Sequence, residues 1–332
     1  DGSTAAQNAP TGNATIDFTD TVVNLGTVQS VTYGDENTAV SYTANGNALT
    51  FVNAPAGVET YTITTSGDTY IVDVCVYVTG ISTAEELLAY RLATNYSYAV
   101  LLNDIDMEGA VLPATSNYLY GTFDGLSHTI ANCTLQASLF GNLYANSGVI
   151  KNLQLINVTQ DCSNIVTASV SAVRNGFLVQ TAYGTIENVL IKGELINMPE
   201  GIAHWGLICY NGTPVIKNVI VNVKSMGSTK KLMAANIGGG TLDGVYMVLN
   251  DKTLASISNV TDLATATNVG VYATDSIMMA SVDFSTWAEP WIIENGKLPY
   301  MSDYSEYLGF IHDEYVGTTS YNLIENGTSQ YK

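Results

Sequence analysis

From residue 128 onward, polar and apolar positions follow one recurring arrangement. An apolar residue and a variable one precede an asparagine, and apolar residues then resume at once. The pattern reads HTIANCTL at 128–135, GVIKNLQL at 148–155, GTIENVLI at 184–191, PVIKNVIV at 214–221 and GTLDGVYM at 240–247. Its leading apolar residues, Ile130, Ile150, Ile186, Ile216 and Leu242, are 20, 36, 30 and 26 residues apart. A second apolar segment, SLFGN, GFLVQ, GLICY or KLMAAN, precedes each of the last four copies. Two short strands in fixed relation, repeated with loops of variable length, predict the rungs of a parallel β-helix.

The asparagines follow from that geometry. In I-x-N-V the apolar residues flanking Asn are three apart, whereas residues on one face of a flat strand are two apart. Both point inward if the chain bends between them through a left-handed residue, which Asn tolerates better than other non-glycine residues. Asn132, Asn152, Asn188 and Asn218 are therefore expected at corners, stacked about 4.8 Å apart with amides bonded along the stack. Gly244 at the fifth position satisfies the same backbone requirement. The residues just before the corner, Ala131, Lys151, Glu187, Lys217 and Asp243, alternate in sign after the first. As a column they predict inter-rung attraction of a few tenths to about 1 kcal/mol each, a structural role in place of a catalytic one.

Residues 1–79 carry a different pattern. VQSVTYG, AVSYTA, ALTFVNA, ETYTITTSG and TYIVDVCVYV are short Thr/Val/Tyr-rich runs broken by Gly, Asn and Pro. They predict an immunoglobulin-like β-sandwich module. At residue 80 the character changes, and STAEELLAYRLA reads as a helix. Ser82 or Thr83 would be its N-cap, with Glu85 and Glu86 in the first turn. Directly before the repeats, it is expected to cap the first open edge of the β-helix at 80–300. Residues 301–332, rich in Tyr and acid, are expected to close the lower edge or mediate assembly.

Composition narrows the function classes. Thirty acidic against eleven basic residues give a net charge of −19 over 332 residues. A nucleic-acid partner is excluded on this reading, because no basic run exists to neutralise phosphates; Lys230–Lys231 is the one adjacent basic pair. Hydrophobic residues at 46%, charged residues at 12% and 21 tyrosines fit a β-rich extracellular protein. The first residue is Asp1, so a processed or trimmed N-terminus is expected. No apolar run of about 18 residues predicts membrane insertion. Cys75, Cys133, Cys162 and Cys209 lack C-x-x-C spacing, arguing for buried thiols or a disulfide over zinc.

ISTAEELLAYR, VLLNDIDMEG, GTFDGLSHTIANCTL and SLFGNLYANSGVIKNLQL follow one another, and SVDFSTWAEPWIIENGKLPYM closes the array. This order, over about residues 80–301, resembles bacterial surface proteins with GLUG-type repeats, similar in fold to pectin-lyase-like right-handed β-helices. AGVETYTITTSGDTYIVDVCVYVTG likewise resembles the closing hairpin of bacterial Ig-like domains. The resemblance implies an extracellular, usually non-enzymatic protein, some of whose relatives are adhesins or parts of surface or phage assemblies. Uneven repeat spacing and Gly244 depart from the strongest form of the motif.

Polysaccharide lyases and hydrolases share this scaffold, so candidate chemistry has to be weighed residue by residue. A lyase needs a basic residue near carboxylates, and the two arginines are Arg91 in the helix and Arg174 in a loop. Asp104, Asp106 and Glu108 alternate along NDIDMEG, where they either solvate an outer face or offer oxygen ligands to calcium. His128, His204 and His312 lack metal-ligand spacing, and Gly238-Gly239-Gly240 reads as a turn between rungs. Tyr144, Tyr183, Trp205 and Tyr210 lie near the second strand segments; they either fill the coil's ends and loops or expose a stacking surface for sugars.

The sequence thus predicts an all-β chain without a cofactor, and a non-enzymatic, adhesin-like surface protein. Its partner would be a carbohydrate or a surface protein, with homo-oligomers or assembly through the Ig-like module or tail. A phage fibre or decoration protein in a virion, and a polysaccharide lyase or hydrolase, are the alternatives.

Overall fold

A computed structural model of the chain describes residues 12–18, 24–54, 56–145, 147–163, 176–197, 207–224, 240–249, 266–288 and 290–301, with segments 309–312, 322–325 and 328–331. The chain divides into two units. The first comprises residues 1–80, 97–100 and 303–332. Its strands are β1 (Gly12–Asp17), β2 (Val28–Tyr33), β3 (Thr38–Ala39), β4 (Tyr42–Asn45), β5 (Ala48–Ala54), β6 (Gly57–Thr65) and β7 (Thr69–Tyr77). They pair antiparallel as β1-β5-β4 and as β7-β6-β2-β3. Burial alternates along β7, where Tyr70, Val72, Val74 and Val76 are enclosed. These residues join Ile16, Phe18, Leu49, Phe51, Tyr61 and Ile63 in one core, with Phe51 stacked on Tyr61 at 4.4 Å.

The second unit comprises residues 81–96 and 101–302. Strand β8 (Thr79–Ile81) leads to helix α1 (Ala84–Arg91), followed by β9 (Ala99–Leu101), β10 (Ile105–Asp106), β11 (Val111–Leu112), β12 (Tyr118–Leu119), β13 (Thr122–Asp124) and β14 (Thr129–Leu135). The repeats supply β15 (Phe140–Leu143), β16 (Val149–Asp161), β17 (Val179–Ala182), β18 (Thr185–Ile196), β19 (Cys209–Gly212), β20 (Val215–Lys224), β21 (Thr241–Leu249) and β22 (Ala266–Tyr272). The stacked pairs are parallel and the whole is a β-solenoid of about five turns.

One face of the coil is the short sheet β12-β15-β17-β19; the other runs through β16-β18-β20-β21-β22. Ile150, Ile186, Ile216 and Leu242 stack in register, as do Leu153, Val189, Val219 and Val245. All eight are buried, so each rung seals its neighbour's core. The second apolar segments form β15, β17 and β19, as expected; KLMAAN lies outside the described residues.

The corners are left-handed at Asn152, Asn188 and Asn218, with φ near +50°, and at Gly244 with φ +66°. The amide of Asn188 donates to Asn152 at 3.0 Å and that of Asn218 to Asn188 at 3.3 Å. Asn152 donates in turn to Asp124 at 3.0 Å. Each amide thus bonds the preceding rung, and the first rung, needing an acceptor alone, carries a carboxylate. The expected place of Asn132 is corrected. Its register partner is Asn157, whose amide donates to it at 2.7 Å, in a second column five residues along β16. Asn132 follows Gly125 by seven residues where Asn157 follows Asn152 by five. The difference is the two-residue turn Leu126-Ser127, both at positive φ.

Ala131 moves with Asn132, pairing with Ile156, and Asp124 takes its place beside Lys151. The alternation then covers five successive rungs, Asp124, Lys151, Glu187, Lys217 and Asp243, with Lys151 Nζ 3.5 Å from Asp124 and the neutral Thr267 on the next rung.

Thr83 caps α1 in a reciprocal capping box with Glu86, and Leu87 and Tyr90 are buried. Tyr90 packs against Phe123 and Phe140 at 5.6 and 6.3 Å. Later in the chain, α2 (Asp275–Ser281) and the hairpin β23 (Trp291–Ile292) and β24 (Tyr300–Met301) lie against the solenoid's outer side. Met278, Phe284, Trp291 and Met301 there enclose Leu190, Ile220, Tyr246 and Val248, the outward residues of three successive rungs. Gln154 fixes this cover, donating to the Met301 carbonyl at 3.2 Å and accepting from the Met301 N–H at 3.3 Å.

The C-terminal segments differ from the expected closure of the coil. β25 (Gly309–His312) runs parallel to β7 at Val74–Tyr77, and β26 (Asn322–Glu325) runs antiparallel to it at Tyr70–Val72. β27 (Thr328–Tyr331) completes a hairpin with β26. β6 occupies one edge of β7; the other offers unpaired backbone groups, which these segments satisfy.

Candidate functional site

The second corner, between the short and long sheets, is built differently on three successive rungs, before Pro214 takes the place on the fourth. It passes through Gly121, Gly148 and Gly184, whose carbonyls accept the N–H groups of Val149, Thr185 and Val215 one rung on, at 2.9–3.0 Å. A Cβ on Gly148 would lie 2.6 Å from the Leu119 carbonyl, and one on Gly184 2.0 Å from that of Gly148. Glycine lets the backbones approach this closely.

A tyrosine stands at or just before this corner on four successive rungs. Asn95 pairs with Leu119, Leu119 with Leu143, and Leu143 with Ala182, all parallel. The residue after each is Tyr96, Tyr120, Tyr144 and Tyr183. Leu119, Leu143 and Ala182 point into the core, so the residues that follow them point out. Tyr96, Tyr144 and Tyr183 are 54%, 39% and 44% exposed. Tyr96 stacks on Tyr120 at 4.6 Å and 12°, and Tyr120 meets Tyr144 at 4.3 Å.

Tyr118, 44% exposed, stands beside the column, 5.8 Å from Tyr120 and edge-on to Tyr144 at 6.4 Å. Its own register partners are Asn142, Thr181 and Asn211. Beside the aromatic column, Asn142 and Thr181 thus continue the Tyr118 position with polar residues on the next two rungs. Desolvation holds the Tyr120 phenol above its ordinary range, with Tyr96, Tyr144 and Tyr118 adding to the rise. The Tyr120 hydroxyl therefore stays protonated and can donate as well as accept.

Of the residues expected to meet a ligand, Tyr144 and Tyr183 belong to this strip. Tyr210 lies on β19 in register with Gln180 and Gly141, half-buried and outside the tyrosine column. Trp205, Arg174 and His204 lie outside the described residues, as do Lys230, Lys231, Gly238 and Gly239. Sequence reading missed Tyr96, Tyr118 and Tyr120. The signal was the recurrence of LYG at 119–121 and AYG at 182–184, with LY alone at 143–144.

The carboxylates of NDIDMEG have local partners. Asp104 accepts the Thr129 N–H at 2.7 Å and lies 3.3 Å from His128 Nδ1. Asp106 accepts the side chain of Asn132 and the Glu108 N–H, which together hold it below the usual carboxylate range. Asp106 therefore opens the second asparagine column as Asp124 opens the first. Glu108 is a left-handed turn residue, φ +52°. Among the described residues no group of three or more His, Cys, Asp or Glu is arranged to hold a metal.

Arg91 is 2% exposed and donates through two of its nitrogens to carbonyls: Nε to Leu139 at 2.9 Å, Nη2 to Pro113 at 2.8 Å and to Ser138 at 3.3 Å. That geometry pins α1 to the first turns and turns the Arg91 guanidinium inward. The four cysteines are buried; burial pushes Cys133, Cys162 and Cys209 up to about 12, outside the range of reactive thiols. Among the described residues no helix is long and apolar enough to cross a membrane. Compared with family models, with curated proteins and with solved structures, the chain matches none.

Proposed function

We propose that this chain is a non-enzymatic, adhesin-like surface protein of the extracellular space that binds a glycan along its tyrosine column. The carrying observation is the outward row Tyr96–Tyr120–Tyr144–Tyr183 with Tyr118 beside it. Tyrosine offers a rigid apolar body with a polar tip, suited to the apolar faces and hydroxyl edges of sugars. Rungs about 4.8 Å apart repeat that offer along a line, which matches an extended chain ligand better than a compact one. The motif order resembling GLUG-repeat bacterial surface proteins supports the same location and, with it, a right-handed coil. On this reading the N-terminal unit is an Ig-like presenting module. Helix α1, anchored by Arg91, caps the first turn.

A glycan array probed with the full chain and with a Tyr118→Ala/Tyr144→Ala/Tyr183→Ala variant tests the proposal. The expected result is saturable binding by the parent, weakened tenfold or more in the variant, while both melt within a few degrees of one another. Absence of glycan binding by the parent, or equal binding by the variant, would overturn it.

A further inference from the structure

The first asparagine ladder breaks at Gly244. It holds from Asp124 through Asn218, and the rung after Gly244 restores asparagine at Asn268, again left-handed with φ +51°. Asn268 lacks an amide beneath it and donates to Asp243 at 3.0 Å. The backbone at Gly244 already has the conformation asparagine takes on the neighbouring rungs, so conformation alone does not call for glycine here. Space does: a Cβ would lie 2.8 Å from Asn218 Oδ1 and 3.3 Å from the indole of Trp287.

The missing side chain forms part of a cleft of about 580 Å³ lined by Asn218, Asp243, Tyr246, Asn268, Asp283 and Trp287, among others. That volume lies within the roughly 300–1,000 Å³ of ligand pockets. Trp287 is fixed from behind, stacked on Tyr246 at 5.9 Å and packed against Phe284 and Trp291 at 5.0 and 4.8 Å. It is half-buried and lines the cleft without being free to collapse into it. The lining also carries the two amides of Asn218 and Asn268 and the two carboxylates of Asp243 and Asp283.

We infer that this cleft is a subsite for an uncharged pyranose ring, separate from the tyrosine column. A fixed indole presents a flat apolar surface to the C–H face of a sugar, and the amides and carboxylates accept and donate to its hydroxyl edge. Charge selects among sugars. The described lining contains Asp243 and Asp283 and no Lys or Arg, so a uronic or sulfated ring meets repulsion with no compensating cation.

Calorimetric titration of the full chain with neutral hexose and N-acetylhexosamine oligosaccharides tests this, with oligouronates as the charged control. Gly244→Asn sets a side chain against Trp287 without removing any lining side chain; Trp287→Ala removes the platform and serves if the first variant melts early. Neutral-sugar affinity should fall tenfold or more in both and stay unchanged in Val111→Ala, an exposed position outside both the cleft and the tyrosine column. Oligouronates should bind more weakly than the neutral probes. No neutral binding by the parent, binding indifferent to both cleft variants, or preference for oligouronates overturns the inference. Loss in Tyr144→Ala with retention in the cleft variants does so too, while leaving the tyrosine column standing.

Discussion

The solenoid turns through two corners that solve one steric problem in opposite ways. At the asparagine corner the side chain serves the coil itself. The amides bond from rung to rung, and Trp291 closes over them with its Nε1 donating to Asn188 at 3.0 Å. At the glycine corner the backbone does the stacking, through carbonyls that a Cβ would touch, and the neighbouring tyrosines are left to face water. Both corners repeat with the rungs. Repetition therefore marks architecture at one and a continuous surface at the other; what separates them is whether the column's polar groups are already used within the protein.

The comparison can be broken most severely at Gly184. Its Cβ position is 2.0 Å from the Gly148 carbonyl and 2.8 Å from that of Tyr144, and backbone on both sides leaves nothing flexible to move. Gly184→Ala should cost more than about 3 kcal/mol, the upper end of ordinary overpacking. Urea unfolding of the variant checks this; a loss below about 1 kcal/mol would mean that the rungs separate easily and the glycine column is not a constraint.

Next in size is the asparagine corner. Asn188 sits between two amides and under Trp291, so Asn188→Ala combines a left-handed alanine, about 1–2 kcal/mol, with neighbours left unpaired, about 1–3 kcal/mol. Asn188→Gly relieves the backbone part and keeps the loss of the amide. The two variants should therefore differ by about 1 kcal/mol or more in urea unfolding, glycine being the more stable. Equal stabilities would show that the corner tolerates any residue and that the ladder alone sets its composition.

Much of this was legible in the chain. The motif I-x-N-V forces a corner at Asn, and that places Asn152, Asn188 and Asn218 correctly with Gly244 as their substitute. Asn132 was misplaced because HTIANCTL resembles VIKNLQL while pairing with QLINVTQ; similarity does not count the two extra residues of the Leu126-Ser127 turn. The rung carrying Asn268 was overlooked, although TNVGV keeps the corner pattern. Of the candidate site, Tyr144 and Tyr183 were visible. The tyrosine column was not, because the loops between rungs have different lengths and hide its register. The cover of α2 and the Trp hairpin was likewise hidden. Outward residues such as Leu190 and Ile220 read as core until a partner segment is placed on them.

The smallest effect follows from where each ladder begins. Asp106 and Asp161 open their columns by accepting from Asn132 and from Asn197, together with backbone N–H groups of Glu108 and Ser163, and both are held below the ordinary carboxylate range. In the unfolded chain each returns to about 3.9. A depressed pKa contributes stability that is present above the unfolded value and is lost as pH falls through the folded one. The parent should therefore lose stability on acidification through this window. Asp106→Asn with Asp161→Asn keeps an acceptor oxygen at each position and removes the charge. The urea midpoint of that double variant should fall less steeply between about pH 5 and pH 2 than the parent's. Parallel slopes would show that the leading carboxylates act as neutral acceptors, and that the polarity of the ladder, not its charge, selects the residue at its head.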